Sequence, residues 1–124
     1  MIEELRAEIF DLIKSTGIDF VYYDQGATDL LPSCVFTFFS APITRDTGGE
    51  FREFYLQFTV YGSSAGYVES KSLEIIEKLT QEQNFNLTDF FIENAIALSY
   101  IIAKKNEDKS WRAGGEIKLL LVEK

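Results

Sequence analysis

At 124 residues the chain is the size of one domain, residues 1–124, able to hide roughly two-thirds of the surface its unfolded form exposes. Its net charge of −8, from 20 acidic and 12 basic residues, argues against a general nucleic-acid binder, which needs a cationic surface to displace phosphate counterions. Cys34 is the only cysteine, so no intrachain disulfide forms, and the chain has no histidine.

The acidic, amphipathic start Met1-Ile2-Glu3-Glu4-Leu5 is unlike a secretory signal, and no run of about 18 apolar residues exists to span a membrane. The expectation is a soluble cytoplasmic chain, in which the sequon Asn86-Leu87-Thr88 is a chance match. Eleven Phe, six Tyr and one Trp are many aromatics for so small a core. Aromatics concentrate where protein surfaces meet, so a homo-oligomer is expected.

In chain order, Ile2 to Lys14 reads as an amphipathic helix with Ile2, Leu5, Ile9, Leu12 and Ile13 on one face and Gly17 as its cap. Asp19 to Tyr23 is a short β-like segment, and Cys34 to Phe39 a strand rich in β-branched and aromatic residues. Ala41 to Glu50, with Pro42, Thr47, Gly48 and Gly49, reads as an exposed connecting loop. Phe51 to Tyr61 is the clearest strand. Its fully apolar face, Phe54, Leu56, Phe58 and Val60, is expected to meet the core. The mixed face, with Tyr55 and Tyr61, is left for water or a partner.

A second helix is expected from Ala65 or Gly66 to about Glu82, with Val68, Leu73, Ile75, Ile76 and Leu79 on its apolar side and a Glu74–Lys78 pair. Phe90-Phe91-Ile92 fits a short strand or a packed turn. Ala95 to Lys104 reads as a separate strand with Ile96, Leu98, Tyr100 and Ile102 on one face. Trp111 to Val122 closes the series, with a bulge or bend expected at Gly114-Gly115. The fold class that follows is α+β: a mostly antiparallel four-stranded sheet with two helices packed on one face.

One stretch invites a chemical reading. Gly62-Ser63-Ser64-Ala65-Gly66 satisfies G-x-S-x-G, the nucleophile elbow, with Ser64 in the nucleophile's place. With no histidine there is no base to take its proton near neutral pH, and Lys71 lies two helical turns on. A phosphate loop fails too, because Tyr67 stands where lysine is needed. Tyr67 and Lys71 fit Y-x-x-x-K, but no dinucleotide fingerprint accompanies them. Asp24, Asp29 and Asp46 form no calcium-loop pattern. The reading is therefore no catalytic residues, no metal and no cofactor. Ser63 or Ser64 caps the helix, and Gly62 and Gly66 permit unusual backbone angles at the junction.

The strand "YLQFTVYG", the serine-glycine cap and the helix "GYVESKSLEIIEKL" resemble the tail terminator, or tail completion, proteins of long-tailed bacteriophages. The opening helix, "PSCVFTFF", and the closing pair "IALSYIIAKK" and "WRAGGEIKLLLVEK" agree in order. The resemblance implies a non-enzymatic virion part, made in the host cytoplasm. It would assemble with itself as a ring, usually a hexamer, on the head-proximal end of the tail tube. Its implied partners are the tail tube protein and a head-completion or connector protein, with DNA passing through the lumen without specific binding and no membrane involved. Candidate subunit contacts are Arg45 and Arg52, the tyrosines Tyr55, Tyr61 and Tyr67, and Lys109, Trp111 and Arg112. The alternative is a small-molecule or anion-binding α+β module of regulatory type, using the Tyr61–Tyr67 region.

Overall fold

The computed structural model describes residues 2–24, 30–40, 43–46, 49–82 and 85–124. Pro42, Thr47, Gly48 and Asp29 lie outside them. Helix α1 (Ile2–Lys14) buries Leu5, Ile9 and Ile13, which recur at helical spacing. It carries Glu3 and Glu4 in its first turn and Lys14 in its last, matching the helix dipole at both ends. Gly17 ends it with a φ of +94°, a conformation that side chains disfavour.

The strands are β1 (Phe20–Tyr23), β2 (Ser33–Ser40), β3 (Ile43–Asp46), β4 (Gly49–Gly62), β5 (Phe90–Lys105) and β6 (Trp111–Glu123). They form one mixed sheet in the order β1-β2-β4-β6-β5, with β3 also paired to β4. β1 runs parallel to β2, and the other pairings are antiparallel. The sheet is thus one strand wider than the four read from the sequence, because β1 joins it. It also gains β3, where the sequence suggested a loop. β2 and β3 line the same edge of β4, both antiparallel to it.

Both helices pack on one face. On that face the register aligns Cys34 with Val60 and Phe36 with Phe58. It also aligns Phe54, Leu56 and Val60 with Leu119, Ile117 and Ala113. All are buried. Each fully buried Leu, Ile or Phe contributes roughly 1.5–3 kcal/mol of transfer free energy. The ring pairs Tyr23–Phe36, Tyr23–Phe38 and Phe38–Phe54 extend this layer toward α1. Cys34 belongs to the same layer, and burial pushes its thiol well above the usual range.

Helix α2 (Ala65–Glu77) continues as a π-helical turn, Lys78–Glu82. Val68, Ile75 and Leu79 are buried, but Leu73, expected on the apolar side, is 54% exposed. Glu74 meets Lys71 at 3.4 Å rather than Lys78. The Lys71 ammonium also donates to the Thr16 carbonyl, tying α2 to the end of α1.

Gly114 and Gly115 do not form a bulge in β6, whose register with β4 is unbroken from Gly62↔Trp111 to Phe51↔Val122. They are small because the space is taken. A Cβ on Gly114 would stand 2.1 Å from the Phe58 carbonyl oxygen, and one on Gly115 2.9 Å from Ile76 Cδ1. The irregularities lie on β5 instead, between Ile92 and Asn94, Ala97 and Ser99, and Ile101 and Lys104. β5 is therefore continuous from Phe90 rather than split in two, and its bulges rotate its faces. Ile96 aligns with Lys118 on the open side of the sheet, whereas Tyr100 aligns with Gly115 on the helix side. The single face expected for Ile96, Leu98, Tyr100 and Ile102 is not formed.

Candidate assembly surface

The junction Gly62–Gly66 is a helix start. Ser64 is the N-cap, in extended backbone, and its Oγ accepts from the Tyr67 N–H at 3.2 Å. Of the two serines offered by the sequence, it is the second that caps. Neither Gly62 nor Gly66 is among the positive-φ residues. Gly62 is required for room, since a Cβ there would stand 2.8 Å from the Tyr67 ring. Lys71, the nearest lysine to Ser64, is spent on Thr16 and Glu74. Among the described residues no group of three or more carboxylate or thiol side chains could hold a metal, and no helix is long and apolar enough to cross a membrane.

The candidate contact residues divide between the two ends of the sheet. Arg45 lies on β3 opposite Glu50, at one end. Its side chain lies outside the described residues. Arg52 aligns with Leu121, and its guanidinium stands 5.1 Å from the centre of the Phe90 ring, where it covers the core edge. Tyr55 is on the open face, its hydroxyl donating to Glu53 at 3.0 Å and its ring 5.8 Å from that of Phe39. The Glu53 bond raises the Tyr55 pKa above its ordinary value.

Tyr61 lies near the far end of β4, about 30 Å from Arg52 at ~3.3 Å per residue. It aligns with Arg112, which is exposed and donates to the Asn106 side chain. With Glu107 and Asp108 these line an open pocket. The β5–β6 turn beneath is closely held. Asn106 N–H donates to the Ser110 carbonyl at 2.7 Å, and Ser110 donates from N and Oγ to Asp108 at 3.0 and 2.6 Å. Those bonds lower the Asp108 pKa. Lys109 takes a φ of 72° in this turn. Trp111 is half-buried opposite Gly62, with the Lys105 ammonium 5.9 Å from its ring.

Tyr67 lies on the opposite side of the sheet from Tyr61. It lines a separate pocket of about 250 Å³ with Leu31, Pro32 and Ser63. Burial, then Asp19 and Glu74, raise its pKa. The two tyrosines therefore do not share a site, and among the described residues that line the Tyr67 pocket there is no cationic side chain for an anion.

A larger surface is β5 itself. It closes one edge of the sheet, so its outer backbone groups pair with no strand among the described residues. Ten consecutive residues, Asn94 to Ala103, carry no charge. Phe91, at the strand's start, Ile96 and Leu98 are exposed, and Ile102 is 68% exposed. Free edges are normally guarded by short length, Pro or inward charge, and this edge has bulges but no charge between Glu93 and Lys104. The uncharged run is the sequence signal that marks it.

No protein-family model matches the chain, and no curated protein matches it. Solved structures do. One is a chain from the virion of a native gene transfer agent particle, 15% identical, covering 99% of this chain and 91% of that one with a TM-score of 0.58. Another is the gp17 protein of bacteriophage SPP1, 20% identical, covering 98% of this chain and 84% of that one with a TM-score of 0.47. The chain is thus similar in fold, across nearly its whole length, to a protein of the gene transfer agent virion.

Proposed function

We propose that this chain is a structural virion protein that caps the head-proximal end of a phage-type tail tube as a ring and supports the joining of head to tail. The observation that carries the reading is β5. A sixteen-residue edge strand with an uncharged, exposed centre is built to be covered by protein. A chain of the same fold within a gene transfer agent virion supports a virion setting. The sequence resemblance to tail terminators supplies the position in that virion. The partners in this reading are further copies of the chain, the tail tube protein and a head-side connector. The net charge of −8 suits a lumen through which DNA moves without sticking.

The test is electron microscopy of particles produced without this protein. Tubes of uncontrolled length and heads lacking tails are expected. Particles with tails of normal length joined to heads would overturn the proposal. The alternative, an anion-binding module at Tyr61–Tyr67, is disfavoured by the separation of those two side chains across the sheet.

A further inference from the structure

The two edges of the sheet fit one another. β1 and β5 stand at opposite ends of the strand order, and no strand among the described residues pairs with the outer side of either. β1 is parallel to β2, and three antiparallel steps then lead to β5, so β1 and β5 run antiparallel. Translating one copy past the next brings these edges together in the pairing that needs no reversal of direction.

Their heights match as well. Phe20 aligns across the sheet with Ser33, Tyr61, Arg112 and then Lys104. Tyr23 aligns with Phe36, Phe58, Gly115 and then Tyr100. Phe20–Tyr23 of one copy therefore sits level with Tyr100–Lys104 of its neighbour. Their charges are complementary: Asp19 precedes β1, while β5 ends in Lys104 and Lys105, and all three are exposed. Asp19 and Lys104 make no hydrogen bond or ion pair among the described residues. The bulge of β5 between Ile101 and Lys104 falls inside this span, so the four residues of β1 face five of β5.

We infer that the β5 edge takes the β1 edge of a second copy, Asp19 of one chain meeting Lys104 and Lys105 of the next, so that the sheet continues from copy to copy. This rests on the self-assembly proposed above and assigns its contact.

Two single variants, Asp19→Cys and Lys105→Cys, test it on the full chain, where buried Cys34 is left in place. After mild oxidation of the mixed pair, a cross-linked dimer is expected that neither variant forms alone. The chain carrying both changes is expected to give a ladder of multimers. Asp19→Lys is expected to weaken association about tenfold at low salt, and adding Lys104→Asp and Lys105→Asp to restore it. Self-cross-linking of Ser99→Cys would mark a two-fold β5–β5 contact and overturn the inference. Closed oligomers in native mass spectrometry without the Asp19–Lys105 cross-link would overturn it too, while leaving the ring reading intact. A monomer at every concentration, with no cross-link, would overturn both.

Discussion

Gly114 shows how little room the middle of the sheet leaves. The carbonyl it faces belongs to backbone fixed on both sides, so it has no way to retreat from the 2.1 Å approach a Cβ would make. Gly114→Ala is expected to cost about 3 kcal/mol or more, read from the urea midpoint. Gly115→Ala is expected to cost less, since the nearest atom there is the end of the Ile76 side chain. Ser64→Ala is expected to cost about 1 kcal/mol by removing the cap, with no other consequence. Glu4 accepts from Thr88 Oγ1 at 2.6 Å and from its N–H at 3.1 Å, which lowers its pKa below the ordinary 4.5. A depressed acid of this kind stabilises the fold fully above 4.5, and the benefit fades as pH falls through the folded value. The Glu4→Gln chain should therefore be less stable than the parent near neutrality, and the two should converge in acid. Urea midpoints measured across pH check this.

Among the elements, β4 and both helices were legible because one face of each is buried, although Leu73 falls outside the buried stripe of α2. β3 was not. Ile43–Asp46 is a strand by virtue of backbone bonds to Gly49–Arg52, and its sequence, rich in turn formers nearby, carries no period. β5 misled for another reason. Bulges at three points shift the alternation, so a period of two read straight along the chain assigns Ile96 and Tyr100 to one face when they occupy two. Of the candidate contacts, Tyr55, Tyr61 and Arg112 were found on the open face, whereas Arg52 serves the core edge and Tyr67 the helix side. The exposed apolar run of β5 left no motif, only an absence of charge. A guard charge placed there isolates its role: Ile102→Lys is expected to abolish self-association by sedimentation velocity while shifting the urea midpoint little. Leu73→Lys, a change at another exposed apolar position, on α2, is expected to leave association unchanged.

For the whole molecule, charge is the clearest property. With −8 spread over 124 residues, the protein is expected to show no DNA binding by fluorescence anisotropy at physiological salt, alone or assembled. Tight binding would contradict a lumen that lets DNA pass. The order of strands has a consequence of a different kind. β6, which holds β4 on one side and β5 on the other, follows both of them in sequence, though it lies between them in the sheet. On the ribosome, β4 and the apolar β5 emerge before the strand that joins them exists. The nascent chain must wait with both exposed until residues 111–123 clear the exit tunnel, and only then can the sheet close.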